Sequence, residues 1–510
     1  MRSLFDSSKC TGERPACRLC ASRRTLCQYS TRPGESRQQA LSRKNEDLKQ
    51  RATVYEEAIA LLRTLPEDAA QDVLQRLRSG TDITTVVNHV QAGNVLLQMA
   101  VVPESQLRYV FPYRPEMPAV YIRDNPYLES RIYEAASLSP AQGLAETSTS
   151  IGGESSEEIQ SAYLRPFHAA HVVDSRLPDA KIASWTNVCQ DDPLMRDLLS
   201  AFFRCEYQFA AAFQKDLFLE DLISQGSDFC SSLLVNIVLA YACVCYPHFP
   251  NRVEYWNPQT LVYRFLAEAK RLWELEASVP RLTTIQAGIL FSVFHNLCGL
   301  DEIGQPYRIH GVSLAQKLRL FSQTSCKESG AKRDGWAYTA WALYNWETLV
   351  AFSFMIPPLV KKPPDWPLPD PSKDQRWYGE TWLQYPLVSK PSPAHFGHIF
   401  HARSRFRVIM NEYCEAAFSP KPYLDVEEAN GLHERLKLWY GNLPQPLTPK
   451  SIVLPGHLQL HIYYYHLILM MYEPLLAADK TNDAVLQKTV YDAKRFLQTL
   501  VRLYYLRHGF

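Results

Sequence analysis

Apolar positions in the second two-thirds of the chain recur with the 3.6-residue period of a helix that buries one face. Leu194, Leu198, Leu199, Phe202 and Phe203 make one stripe, and Leu233, Leu234, Ile237, Val238 and Tyr241 a second. Leu290, Val293, Phe294 and Leu297 make a third, and Leu458, Ile462, Tyr465 and Leu469 a fourth. Strand-type alternation is scarce. Pro357-Pro358 and the Pro-rich run from Lys362 to Pro371 mark one long loop. The pattern predicts an all-α fold whose bulk is one multi-helical domain over residues 161–510. Upstream, residues 101–160 carry scattered prolines, then a Ser-, Thr-, Gly- and Glu-rich stretch from Ala136 to Glu158, which predicts a linker, partly disordered. Residues 65–100 read as short helices. Pro66 opens one, Glu67 and Asp68 favour its N-terminus, and Val73, Leu74 and Leu77 face inward. Ser79-Gly80 ends it, and Asp82 can cap another through Val86, Val87 and Val90.

Residues 40–64 follow a different rule. Leu41, Asn45, Leu48, Ala52, Tyr55, Ile59 and Leu62 are spaced alternately four and three apart, which is a coiled-coil seam of about three heptads. Leu41, Leu48, Tyr55 and Leu62 take the d positions; Asn45, Ala52 and Ile59 take the a positions. An Asn at a suits an in-register, two-stranded coil at some cost in stability. The flanking charges divide: Arg51 would meet Glu56 across a paired coil, whereas Lys44 would meet Lys49. The segment predicts a homodimer through this helix or, alternatively, an amphipathic helix folded back on its own chain.

Composition changes this picture in two places. The 510 residues leave room for two to four units at roughly 100–200 residues each. The net charge is only +1, yet residues 1–52 hold twelve Lys or Arg against five Asp or Glu. A basic arm on a mildly acidic body points to a polyanion partner at that end, or to a solvated basic tail. Of twelve cysteines, four lie within residues 10–27 and eight are scattered, which reads as buried thiols in a reducing compartment. Met1 to Cys10 lacks a signal-peptide core, and the most apolar run, Leu233 to Tyr246, contains Asn236 and is shorter than the roughly 18 residues of a membrane span. The expectation is a soluble intracellular protein with no membrane partner.

The sharpest chemistry is Cys10-x6-Cys17-x2-Cys20-x6-Cys27. Thiolates at short fixed spacing suit zinc. Lys9, Arg14, Arg18, Arg23 and Arg24 among them lower the thiol pKa values and can face a phosphate backbone. A disulfide framework is the alternative, which a reducing compartment disfavours. The run KCTGERPACRLCASRRTLCQY resembles the Zn2Cys6 binuclear cluster of fungal transcription factors. Cys10 matches that family's third cysteine and Lys9 the Lys before it. Arg14-Pro15 matches the basic-Pro step of its loop, and Cys17, Cys20 and Cys27 match the fourth, fifth and sixth cysteines. The resemblance implies two zinc ions in the full six-cysteine cluster. It also implies that two ligands and most of the recognition helix are absent from residues 1–8, so one zinc held by all four cysteines, or none, is expected for this chain. A missed upstream segment is the simplest expectation.

The body resembles the same family. Residues 183–222, with their Trp, acidic step, aromatic pairs and Lys215-Asp216-Leu217-Phe218, look like the start of the fungal-specific regulatory region. Phe229 to Asn236 and Thr283 to Ala287 look like its next helices. The segment TLPEDAAQDVLQRLRSG and the ending RLYYLRHGF look most like nitrogen-assimilation-type regulators, in which the helical domain continues further. The resemblance implies a nuclear transcription regulator of RNA polymerase II genes that binds DNA, with a small-molecule effector as a further partner if the body holds a pocket. A dimerisation or regulatory protein that does not itself read DNA is the alternative. Other constellations read as structure. Cys243 and Cys245 sit on different helix faces, His168 and His171 could share one, and His295 lies among apolar neighbours. Trp336, Trp341 and Trp346 recur every five residues as packing anchors or a cavity wall, and Tyr463 to His466 cover one whole turn. No Gly-rich phosphate loop, G-x-S-x-G or H-E-x-x-H occurs, so the residues do not support an enzyme.

Overall fold

The computed structural model describes residues 37–64, 67–78, 124–130 and 132–133, residues 170–508 apart from 247, 385–389 and 479–482, and positions 21–22, 83 and 87. Two units result, Met1–Val90 and Gln91–Phe510. The all-α class holds: the described residues form helices and one three-stranded sheet.

In the first unit, Arg37–Thr64 is one unbroken helix (α1), about 42 Å long at 1.5 Å per residue. Glu67–Arg78 (α2) packs against it, with Ala58 of α1 and Val73 of α2 both buried. Leu77 is half-buried, whereas Leu74, expected on the inward face, is exposed.

The second unit contains α3 (Asp192–Cys205), α4 (Lys215–Ser224), α5 (Ser232–Cys245), α6 (Leu261–Glu276), α7 (Leu282–Leu297), α8 (Asp301–Lys317) and α9 (Ala331–Phe354). After the Pro-rich loop come α10 (Gln375–Tyr378), α11 (Phe396–Phe418), α12 (Val426–Gly441), α13 (Pro455–Ala478) and α14 (Ala484–His508). Polar caps start several of them. Asp191 accepts from the Leu194 N–H at 3.0 Å, Ser231 from Leu234 at 3.1 Å, Thr260 from Tyr263 at 3.2 Å and Asp425 from Glu428 at 2.9 Å. Each satisfies a backbone donor that the helix cannot. Helices α7 and α8 form a hairpin whose backbones approach closely at glycines. A Cβ on Gly288 would stand 3.1 Å from the Tyr307 carbonyl oxygen, and one on Gly304 3.1 Å from His295 Cβ. That approach lets Tyr307 stack against Phe291 and His295, at centroid distances of 4.4 and 5.6 Å. His295 is a core histidine, its Nδ1 2.7 Å from the Phe291 carbonyl oxygen.

Helix α9 lies at the centre and is buried on every face from Ala337 to Phe352. Its polar side chains therefore need partners inside the protein. Thr339 accepts from Gln286 Nε2 of α7 at 2.9 Å, and Trp346 Nε1 donates to Ser292 Oγ of α7 at 3.1 Å. Glu347 meets Arg308 of α8 at 2.6 Å. Asn345 donates to Ser404 Oγ of α11 at 2.8 Å, and Thr348 accepts from Asn411 of α11 at 3.0 Å. Trp341 Nε1 reaches the Trp366 carbonyl at 3.0 Å, which draws the Pro-rich loop onto the core.

The sheet runs β1 (His171–Val173), β2 (Trp382–Gln384), β3 (Ser392–Pro393), all antiparallel, with Val172 opposite Leu383 on the buried face. His171 therefore lies on a strand, not a helix, because its alternate neighbour Val172 is what the core takes in; His168 lies outside the described residues. Past β1, Lys215 Nζ bridges Asp174 at 2.8 Å and Asp216 at 2.7 Å, and Arg176 joins both carboxylates. Burial works against the Asp174 charge, but the Arg176 and Lys215 bonds hold its carboxyl well below the usual range.

Part of the stretch read as linker belongs to the core. Asn125 caps the short 3-10 helix Pro126–Glu129, and Tyr127, Leu128, Ile132 and Tyr133 enter a second hydrophobic cluster with α11 to α14. His461 Nε2 donates to the Leu447 carbonyl at 2.8 Å, so its Nδ1 accepts from the Tyr127 hydroxyl at 2.9 Å. Tyr440 then donates to Tyr127 at 2.8 Å, and Asn125 Nδ2 donates to Thr499 at 2.9 Å. No hydrophobic periodicity signals four inward residues beside one capping Asn.

Tyr127→Ala is expected to lower the stability of the chain by about 3–5 kcal/mol in urea unfolding; a loss below about 1 kcal/mol would remove the anchor. A second expectation concerns pH. Burial pushes the Glu347 carboxyl up to about 7 against the pull of Arg308. The folded chain keeps this proton above the ordinary value of 4.5, where the unfolded chain has released it, so stability falls as pH rises through this window. Relative to Glu347→Gln, the wild type should lose about 2 kcal/mol between pH 5 and 7.5. A difference that grows with pH would show the opposite linkage.

Candidate functional site

The predicted seam lies on α1, and the structure leaves it open. Leu41, Leu48, Tyr55 and Ile59 are 66%, 58%, 54% and 52% exposed. Asn45 and Ala52 are also exposed, and Leu62 is half-buried. Ala58 is buried and Val54 half-buried, so the helix already has an inward side and the seam is a separate one. Lys44, Lys49, Arg51 and Glu56 flank it in solvent. An exposed apolar stripe that runs from Leu41 to Ile59 offers the kind of surface that a second helix covers.

Cys10, Cys17, Cys20 and Cys27, with Lys9, Arg14, Arg18, Arg23 and Arg24, lie outside the described residues. The other eight cysteines are free thiols, and among the described residues no group of His, Cys, Asp and Glu could hold a metal ion. Cys243 is fully buried and Cys245 half-buried, its Sγ bonded to the Tyr241 carbonyl. Burial raises both thiols, so neither is poised as a thiolate. Among the described residues no helix is long and apolar enough to cross a membrane; the run Leu233 to Cys245 is α5, and its Asn236 bonds Thr186 at 2.7 Å.

The body does hold polar groups that sequence reading passed over. Two small pockets adjoin at the centre of the second unit, about 370 and 270 Å3 with their open mouths included. Phe209, Arg403 and Arg407 line both. Trp346, one of the three tryptophans at five-residue spacing, lines the larger; Trp341 is buried against the Pro-rich loop. Arg403 and Arg407 are one turn apart on α11. Their sequence context, HARSRFRVIM, alternates basic residues and looks solvated. The usable signal was the helical spacing of Phe400, Ala402, Phe406, Ile409 and Met410, all buried, which carries 403 and 407 inward with them.

Residues 199–395 match the family described as "Fungal specific transcription factor domain". The chain is 25% identical to the nitrogen assimilation transcription factor nirA of Emericella nidulans, over 99% of this chain and 57% of that protein. It is 25% identical to the nitrogen assimilation transcription factor nit-4 of Neurospora crassa, over 93% and 45%. It is 29% identical to the notoamide biosynthesis transcriptional activator notL' of Aspergillus versicolor, over 56% and 47%. The chain spans about half the length of the curated relatives it matches. No solved structure matches it.

A charge placed in the seam tests whether α1 pairs two chains. Leu48→Asp with Ile59→Asp is expected to halve the mass seen by sedimentation velocity while leaving the helical circular dichroism in place. An unchanged mass would show that any association runs elsewhere.

Proposed function

We propose that the chain, whose residues 199–395 match the fungal specific transcription factor domain, is a nuclear, zinc-dependent DNA-binding regulator of that family that acts as a pair. In this reading Cys10, Cys17, Cys20 and Cys27 hold zinc. Four thiolates complete one tetrahedral site, and the metal supplies a rigid crosslink to a segment too short for a hydrophobic core. Arg18, Arg23 and Arg24, with Lys9 and Arg14, neutralise DNA phosphates; such contacts position a protein on the duplex without reading sequence. α1 pairs two copies, and a complete cluster on each would read two half-sites at a spacing set by the coil and its connection. The helical body regulates. The observation that carries the reading is the order of parts: a basic Cys-rich segment, a helix with an open heptad seam and a body that includes the family domain. The relatives divide between nitrogen assimilation and notoamide biosynthesis, and what they have in common is the regulation of one pathway.

Gel shifts of the full chain with and without zinc separate this reading from that of a partner that dimerises without reading DNA. Specific retardation with zinc, lost on adding a chelator and in Cys17→Ser, is expected. Binding that ignores zinc and sequence, and vanishes between about 50 and 200 mM salt, would leave only non-specific phosphate attraction.

A further inference from the structure

Arg403 and Arg407 are i and i+4 on α11 and so share one face. Arg407 is 3% exposed, and Arg403 is half-buried against the loop between α3 and α4. Arg403 Nη1 donates to the Gln208 carbonyl at 2.6 Å and the Phe209 carbonyl at 3.1 Å. Arg407 is less well served. Its Nη1 reaches the Met410 sulfur, its guanidinium lies 4.9 Å from the Tyr463 ring centroid, and its buried Nε has no acceptor. No carboxylate among the described residues pairs with either cation. The contrast inside the same fold is direct: buried Arg308 has Glu347, and buried Lys215 has Asp174 and Asp216. Burial, with mutual repulsion at Arg403, lowers both guanidiniums to about 10. Two cations one turn apart, one buried and one half-buried, without a counter-charge, are costly to the folded state.

Both cations line both pockets, which adjoin through them. Each pocket has room for roughly one or two water-sized groups, too little for a nucleotide or a sugar. The remaining walls are apolar or neutral: Phe209, Ala211, Trp346 and Leu349 on one side, Gln459 and Tyr463 on the other. Asn345 lines the larger pocket and keeps one amide end without a partner. Its bond to Ser404 leaves either orientation open, because a hydroxyl both donates and accepts, so the amide can turn Nδ2 toward a bound acceptor.

We propose that Arg403 and Arg407 form a binding site for a small planar oxoanion, a carboxylate or an inorganic monoanion of a few heavy atoms. The anion accepts from Arg407 Nε and from the free Nη groups, since a guanidinium edge matches two coplanar oxygens. It supplies the missing counter-charge at the point where α9, α11, α13 and the loop carrying Gln208 and Phe209 meet. Occupancy therefore stiffens the junction of the two hydrophobic clusters. The inference rests on the body alone and stands or falls separately from DNA binding.

The test is thermal unfolding of the full chain in sodium formate and in sodium nitrate, against sodium chloride and sodium sulfate at matched ionic strength. A saturable rise of about 3 °C at a hundredfold excess over Kd is expected for a planar anion. The formate and nitrate arms separate a carboxylate ligand from an inorganic one. Arg407→Met, which keeps length and removes charge, should abolish the shift in a chain of unchanged circular dichroism. A shift matched by chloride, confined to sulfate or retained in Arg407→Met overturns the proposal. If Arg407→Met does not fold, calorimetric titration of the wild type decides: saturable heat with either planar anion supports the site, and its absence with both overturns it.

Discussion

A helix that is buried on all sides and still carries hydrogen-bonding side chains constrains everything around it, and α9 is that helix. An apolar rod would let its neighbours slide by a turn at small cost. Thr339, Trp341, Asn345, Trp346, Glu347 and Thr348 each bond a different residue, so α7, α8, α11 and the Pro-rich loop have one register in which all are satisfied. Each partner lost leaves a buried group unmet, about 1–3 kcal/mol apiece, more for the Glu347 charge. The helix also joins two cores. Its residues through Val350 pack in the larger cluster, while Ala351 and Phe352 belong to the one built by α11 to α14.

This places the boundary of the family domain in an unexpected light. The matching span ends at residue 395, one residue before α11 begins. The bonds from Asn345 to Ser404 and from Asn411 to Thr348 cross that boundary, and both are buried. The span that matches the family domain is therefore not a folding unit by itself here. Its central helix is completed by residues outside it.

Much of the helical body was legible from periodicity, since Leu198, Phe202, Leu234, Ile237 and Phe294 repeat at the spacing that burial on one face demands. Where burial is all-round, a stripe understates it: α5 is enclosed from Leu233 to Cys243, α7 from Leu282 to His295 and α9 from Ala337 to Phe352. Leu297 was counted in a stripe yet is exposed, because the helix ends there and the chain turns at Gly299. His466 likewise faces outward although Tyr464 and Tyr465 on the same turn are buried. The seam of α1 could be read because heptad spacing is a property of the sequence alone. The two central arginines could not, since whether a cation is met by a carboxylate depends on contacts such as Arg308 with Glu347, 39 residues apart. The Lys215-Asp216 step was noticed only as a family likeness. Its role in holding the strand that precedes Asp174 emerges from packing.

The seat of Tyr127 has a consequence in time. Its partner His461 is 334 residues further along, and Asn125 reaches Thr499 across 374. A ribosome adding roughly 5–20 residues per second needs on the order of 20–70 s to span the first of those intervals. For that period Tyr127 is without His461, and Asn125 is without Thr499 for longer still. The first apolar residues described in this unit are thus made long before α13 and α14, the helices that complete their seat.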